Sequence, residues 1–279
     1  LSQTISGHLS KMASELVTGQ PVSYQLLFGD QQVSANDLIG KKIRLEFAGA
    51  INCSNCGRKT KKSYSQGYCF PCMKKLPQCD TCIMSPEKCH YHEGTCRDSE
   101  WGDKFCMTDH IVYLANSSGL KVGITRATQI PTRWIDQGAT QALPFIRVAT
   151  RQQSGLVETM FKEFVNDKTN WRAMLKGPAE TIDLKAAAED LLQMNKSRIE
   201  AFQEQFGLQA IQPIANPELV EIDYPVEQYP VKVTSVGFDK LPEIEGVLQG
   251  IKGQYLILDT GVINIRKHTS YQVSLSVSE

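Results

Sequence analysis

The sequence predicts an α+β protein, with a small mixed core set between a cysteine-rich segment and β-rich ends. Three observations predict it. Strand-like runs with partial alternation crowd both ends of the chain. All nine cysteines fall between residues 51 and 106. Helical periodicity is confined to the middle. A chain of 279 residues accommodates about two domains, and its ordinary apolar and charged fractions are those of a folded protein.

Residues 1–50 read as a β-rich N-terminal segment, with strand-like runs at 21–28 (PVSYQLLF) and 42–47 (KIRLEF). Residues 51–106 hold many turn formers and little periodicity, so side chains alone cannot build a core there and metal must staple it. Residues 107–177 read as a compact α/β unit. Runs 111–115 (IVYLA) and 120–125 (LKVGIT) are strands joined by a Ser117-Ser118-Gly119 turn, and 144–149 (PFIRVA) is a third strand. Pro131 suits a helix first turn. Ser154 suits an N-cap for a helix carrying Leu156, Met160, Phe161 and Phe164. Residues 178–210 contain the clearest long helix, 182–206, with one apolar stripe through Leu184, Ala188, Leu191, Leu192, Ile199, Phe202 and Phe206. Residues 211–279 read as a small β domain, with an irregular linker from Pro213 to Glu218 and short strands from Val231 to Val277 broken by Gly246, Gly250, Gly253 and Gly261.

Formal net charge is zero, so the molecule is not a generic polycation. Local charge differs. Nine cations (Lys41, Lys42, Arg44, Arg58, Lys59, Lys61, Lys62, Lys74, Lys75) face a single acid, Glu46, between residues 41 and 75. That is the footprint of a polyanion-binding face, or else a solvated surface. No run approaches the ~18 apolar residues of a membrane span. Residues 1–10 are polar and lack an apolar signal core. A cytoplasmic location with no membrane partner is expected, and in that reducing compartment paired Cys-x2-Cys units point to metal.

Cys53-x2-Cys56, twelve residues, then Cys69-x2-Cys72 is the spacing of a tetrahedral zinc site. Four thiolates leave no open position for water, so the Zn²⁺ is expected to be structural. Cys79-x2-Cys82 offers a further knuckle, with Cys89 and Cys96 as the simplest partners; His90, His92, Cys106 and His110 compete for those places. Arg58, Lys59, Lys61 and Lys62, with Tyr64, Tyr68 and Phe70, resemble the cations and rings of nucleic-acid-binding ribbons, which neutralise phosphates and stack on bases. DNA or RNA is the expected partner. The sequence does not encode an oligomeric state.

Residues 111–171 resemble the GIY-YIG nuclease superfamily in its short, phage-associated form. Ile111-Val112-Tyr113 stands at the first signature strand. Lys121-Val122-Gly123, followed by Ile124-Thr125, stands at the second. Arg133 falls on the following helix, and residues 158–171 (ETMFKEFVNDKTNW) resemble the closing segment. The match covers about a quarter of the chain. The resemblance implies a three-stranded GIY-YIG-like core and cleavage leaving a 5′-phosphate and a 3′-hydroxyl. It implies Arg133 on the phosphate, Glu158 on one hydrated Mg²⁺ or Mn²⁺, and Tyr113 on the attacking water. Lys121 replaces the second signature tyrosine, and either clamps phosphate or serves as base with a depressed pKa. Arg147, Arg151 and Arg172 are further cations for a nucleic-acid backbone. The whole chain also resembles an uncharacterised bacterial family of unknown function that joins cysteine knuckles to this core.

Asp259-Thr260-Gly261 matches the aspartic-protease triplet, but occurs once; that chemistry needs two carboxylates sharing a proton. Between two strand-like runs it reads as a hairpin turn. Two functional classes stand: a metal-dependent phosphodiesterase, and a non-catalytic nucleic-acid-binding adaptor that keeps the nuclease fold as scaffold.

Overall fold

The computed structural model describes residues 4–278. In chain order, β1 (Thr4–His8), β2 (Ala13–Glu15), β3 (Ser23–Phe28), β4 (Gln31–Ser34) and β5 (Lys42–Asn52) precede the first cysteine. The first ribbon holds β6 (Lys59–Thr60) and α1 (Phe70–Lys75), and α2 (Ser99–Phe105) closes the cysteine-rich stretch. β7 (His110–Asn116), β8 (Leu120–Arg126), α3 (Thr132–Asp136), β9 (Gln141–Val148) and α4 (Arg151–Phe161) follow. Then come α5 (Trp171–Met174), α6 (Leu184–Met194), α7 (Lys196–Phe206), β10 (Ile211–Pro213) and β11 (Val220–Glu221). The chain ends with β12 (Ser235–Val236), β13 (Glu243–Lys252), β14 (Tyr255–Leu258), β15 (Gly261–Asn264) and β16 (Tyr271–Ser278). Among the described residues no helix is long and apolar enough to cross a membrane.

The chain forms two compact units. The first takes residues up to 74, 175–177, and everything from 222 onward; the second takes 75–174 and 178–221. The cysteine block is therefore split, with its first quartet in one unit and the remaining five cysteines in the other.

In the first unit, one sheet runs β1-β16-β5-β13-β14-β15-β12, with β6 on β5. The N- and C-terminal β segments, read from sequence as separate parts, share this sheet. Ile43 and Leu45 of β5 are fully buried, and their cover comes from partners far along the chain: Leu45 pairs with Ile244 on one side and Leu275 on the other. Asp259 and Thr260 make the hairpin turn between β14 and β15. The Asp259 Oδ1 accepts from the Val247 N–H at 2.8 Å, and Thr260 Oγ1 donates to the Glu245 carbonyl at 2.8 Å.

In the second unit, β10-β9-β7-β8 is antiparallel, with β11 also on β9. The sequence predicts three central strands; β10 and β11, on either side of the 213–218 linker, extend them to five. Val112, Leu114 and Val122 of the sheet join Val157, Met160 and Phe161 of α4 and Leu184, Leu191 and Ile199 of α6 and α7 in one apolar core. Two helix boundaries differ from expectation. α4 starts a turn earlier than Ser154, because Thr150 and Gln153 form a capping box: Thr150 Oγ1 accepts from the Gln153 N–H at 3.3 Å, and Gln153 Oε1 accepts from the Thr150 N–H at 3.1 Å. Ser154 lies inside the helix and donates to the Arg151 carbonyl. The long helix breaks at Asn195, whose backbone leaves the helical region (φ −110°, ψ 15°) while its side-chain amide donates to the Leu191 carbonyl at 2.9 Å.

Candidate active site and metal centre

β5 runs directly into the first cysteine knuckle. Cys53 N–H donates to the Arg58 carbonyl and Gly57 N–H to the Cys53 carbonyl; Gly57 sits at φ +69°, where a side chain would be strained. The sulfurs of Cys53, Cys56, Cys69 and Cys72 all lie within 4.8 Å of one another. Tetrahedral zinc with bonds of ~2.3 Å sets sulfurs about 3.8 Å apart, and Cys56 and Cys69 stand at 3.7 Å. The thiols cannot all ionise unaided. Burial pushes Cys53 up, yet backbone N–H groups of Cys69, Cys56 and Asn55 outweigh it and hold this thiol at about 6. The Asn55 amide lowers Cys72, but burial and the three neighbouring cysteines push it to about 12. A divalent cation removes that conflict, so the donor set fits a structural zinc ion.

Beside this quartet Arg58, Lys59, Lys61 and Lys62 are all exposed. Lys62 lies 5.8 Å from the Tyr64 ring centroid and Lys74 5.7 Å from that of Phe70; the two rings meet edge to face at 5.5 Å.

Of Cys79, Cys82, Cys89 and Cys96, the last three line one small cavity together with Cys106; among the described residues these cysteines do not form a group as tight as the first quartet. Two separate 3-10 turns, Pro77–Cys79 and Thr81–Ile83, flank an extended Asp80. The tight group here is Asp80, Cys82 and His90. Asp80 is already engaged: Thr81 N–H donates to its Oδ1 at 2.6 Å, and Arg97 holds its Oδ2 at 2.7 Å. Of the competing residues, His92 packs edge-on against Tyr91. His110 is fully buried, with Nδ1 2.7 Å from the Thr108 carbonyl; burial lowers its pKa to about 4.

The structure does bring Tyr113, Lys121, Arg133 and Glu158 together. Register places Tyr113 opposite Gly123 and Ala115 opposite Lys121. Paired residues and those two apart share a face, so Tyr113 and Lys121 project from the same side of the β7–β8 hairpin. Gly123 makes room for the tyrosine. A Cβ there would stand 2.7 Å from both the Tyr113 Cζ and hydroxyl. The ring is fully buried, edge-on to Trp134 at 5.9 Å, and its hydroxyl donates to Gln137 Oε1 at 2.9 Å. Burial raises the phenol to about 12, against the pull of the neighbouring Arg133 guanidinium; Glu158 adds to the rise.

Lys121 is 3% exposed, and its Nζ donates to Thr169 Oγ1 at 3.2 Å. Burial, helped by the neighbouring Arg133, lowers its pKa to about 8 against the opposing pull of Glu158 and Asp167. Glu158 is raised, chiefly by burial, while Lys162 at 3.2 Å pulls it back. Lys162 also reaches Asp167 at 3.3 Å. Among the described residues no group of three metal-binding side chains includes Glu158, so a divalent cation there would keep most of its waters.

Three cations read as backbone trackers have other engagements. Arg147 forks onto Asp109 (2.7 and 2.6 Å). Arg151 donates to the Ile83 carbonyl at 2.7 Å. Arg172 stacks on Trp171 at 4.2 Å. Sequence reasoning missed Gln137, Thr169 and Asp167, which no motif spacing marks. Sequence reasoning also missed Lys162, although its i+4 spacing from Glu158 marks it.

No curated protein and no solved structure matches the chain. One family, described as "Protein of unknown function (DUF2797)", matches residues 40–273. That match spans well over half of the 279 residues, and the chain belongs to this family of unknown function.

Proposed function

We propose that this chain is a metal-dependent phosphodiesterase acting on DNA or RNA. One observation carries the reading: a nearly buried lysine amine, lowered to about 8, shares a site with a guanidinium, a phenol and a desolvated carboxylate. An ordinary lysine is a poor base near neutrality; this one is neutral in a useful fraction of molecules. Lys121 takes the proton of the attacking water as its oxygen bonds to phosphorus. Arg133 forks onto the phosphate oxygens. Tyr113, raised to about 12, stays protonated and acts as a hydrogen-bond donor that orients water or phosphate. Glu158 would hold Mg²⁺ or Mn²⁺, which would supply charge neutralisation on the phosphate; as the P–O3′ bond breaks, the leaving oxygen takes a proton from solvent water.

The test is a cleavage screen over single-stranded, duplex, branched and RNA substrates with Mg²⁺ or Mn²⁺. Glu158→Ala is expected to abolish cleavage and spare binding. A wild-type protein that cleaves none of them under either metal refutes the reading.

The exposed Lys/Arg group beside the Tyr64–Phe70 pair favours a second reading, a non-catalytic nucleic-acid adaptor. It requires binding without cleavage, and loss of binding in the triple Lys59→Ala, Lys61→Ala, Lys62→Ala variant.

A further inference from the structure

We infer that the first unit is an internal duplication whose second copy has turned one loop, 266–270, into the seat of the first cysteine ribbon, with Ser270 as its anchor. Residues 23–47 and 253–277 run through one series: a two-stranded hairpin (β3–β4 and β14–β15), a 3-10 turn, then a long strand (β5 and β16). The turns Asn36–Leu38 and Arg266–His268 fall at matching places. The backbone closes each copy alike. Ala35 N–H donates to the Tyr24 carbonyl at 2.9 Å, as Ile265 N–H does to the Gln254 carbonyl at 2.9 Å.

A two-fold axis relates the copies. The order β1-β16-β5-β13 reads the same from either end once β1 is matched with β13 and β5 with β16. Register agrees. Thr4 faces Ser276 as Glu243 faces Glu46, and His8 faces Gln272 as Val247 faces Lys42. The axis passes between Leu45 and Leu275, matched residues that pair with each other; the Arg44–Ser276 and Glu46–Ser274 pairs beside them are images of one another. Bonds between the copies exchange in the same way: Gly40 N–H donates to the Leu248 carbonyl at 2.7 Å, and Ser270 N–H to the Leu9 carbonyl at 2.8 Å. This is the symmetry of an isologous dimer, held within one chain.

The ribbon sits where that symmetry breaks. Gly40 has φ +82°, and Ser270, at the matching place, has φ +79°. Glycine adopts that backbone freely, whereas serine is strained there. The serine hydroxyl is put to use. Ser270 is buried; its Oγ donates to the Gly67 carbonyl at 2.8 Å and accepts from Ser54 Oγ at 2.6 Å. The Thr269 carbonyl accepts from Ser63 Oγ at 3.0 Å, and Arg266 Nε donates to Gln66 Oε1 at 2.6 Å. Ser54 adjoins Cys53, and Gly67 stands two residues before Cys69. In the first copy the same loop serves its own hairpin: Asn36 Oδ1 accepts from the Tyr24 N–H at 2.7 Å. The ribbon thus takes its orientation from the second copy as well as from β5, the strand that leads into it.

The test uses the full chain, with zinc release to a chelating dye timed under reducing conditions and proteolysis followed within residues 53–72. Ser270→Gly gives the second copy the residue that the first copy carries, so the backbone is kept and two hydroxyl bonds are lost. Two such bonds correspond to about thirtyfold in an equilibrium. Zinc release and cleavage within the ribbon are expected to speed up about tenfold to thirtyfold, with the melting temperature near that of wild type. Ser270→Ala, which keeps the strain, is expected to speed both equally and to melt lower. Gly40→Ser is the mirror change. A Cβ there finds its nearest atom, Glu227 Oε2, at 4.0 Å, so strain alone is added; a lower melting temperature with unchanged zinc release is expected. Zinc release and ribbon cleavage within twofold of wild type in both Ser270 variants overturn the seat. A Ser270→Gly chain that fails to fold overturns the match with Gly40. A crystal structure tests the duplication directly: the rotation that lays residues 23–47 on 253–277 is expected near 180° and carries 4–13 onto 243–252, and any other rotation overturns it.

Discussion

Lys121 offers the sharpest test of the proposed chemistry. With a pKa of about 8, the neutral amine is about a tenth of the population at pH 7, about half at pH 8 and about nine tenths at pH 9. A reaction that needs this amine as base should therefore speed up about tenfold per pH unit below 8 and level off above 9. The assay is single-turnover cleavage of pre-bound substrate in Mg²⁺ from pH 6 to 9.5. Lys121→Arg keeps the positive charge but cannot give up its proton near neutrality. It should lose about 10²- to 10⁴-fold in rate, the usual worth of a general base, and the rise near pH 8 should vanish. A wild-type rate that is flat between pH 7 and 9, or an arginine variant that keeps both rate and profile, would refute the assignment.

The same side chain makes a prediction that needs no substrate. Its folded pKa, about 8, lies below the ordinary 10.5. Between those values the unfolded chain holds a proton that the folded chain has released, so stability rises with pH across that window. Lowering by about two and a half units corresponds to about 3 kcal/mol, since each unit is ~1.4 kcal/mol. The deficit is fully present below pH 8 and recovered by about pH 10.5. Denaturant unfolding of wild type and Lys121→Met at pH 7 and at pH 10.5 should show their stability difference moving by that amount. A difference independent of pH means that the amine is not desolvated.

Three further outcomes follow from the packing. Gly123→Ala forces a Cβ to within 2.7 Å of the rigid Tyr113 ring; it should cost about 1–3 kcal/mol in thermal or denaturant unfolding and displace the hydroxyl from Gln137, lowering cleavage. Lys252 is fully buried, donates to the Gly177 carbonyl at 3.1 Å and lies 5.5 and 5.4 Å from the Tyr224 and Tyr229 rings. Burial lowers it to about 8, so the stability of wild type relative to Lys252→Met should also climb between about pH 8 and 10.5, read in the same unfolding series. Removing zinc with a chelator, or replacing Cys72 by Ser, should release one equivalent of metal and destabilise the first unit, seen as a lower melting temperature and faster proteolysis around residues 53–72.

Much of the local structure is legible because local physics sets it. The alternation in β3 and β5, the hairpin from 110 to 126, and the Asp259-Thr260 turn follow from side-chain period and turn chemistry. Cys53, Cys56, Cys69 and Cys72 are legible because a knuckle is a local turn closed by one ion. What depends on distant partners is not. The pairing of β5 with β13 and β16 joins residues some two hundred apart, and no run of sequence announces it. The Ser154 cap failed because Thr150 and Gln153 offered a reciprocal pair, and the 182–206 helix broke because Asn195 satisfies Leu191 with its own side chain.

The replacement at the second signature position is where sequence and structure together say most. From sequence, Lys121 reads either as a working group or as the mark of a core that kept its fold and lost its reaction. Packing alone does not call for an amine at a position 3% exposed; a methionine or leucine would fill it without desolvating a charge. The Nζ meets a threonine hydroxyl rather than a carboxylate within hydrogen-bond reach, so the ammonium form is poorly compensated, and Arg133 repels it. A side chain that costs about 3 kcal/mol to keep near neutrality is an expensive filler and an apt base. If the Lys121→Met protein proves more stable and cleaves as fast as wild type, this argument fails, and the lysine belongs to the scaffold.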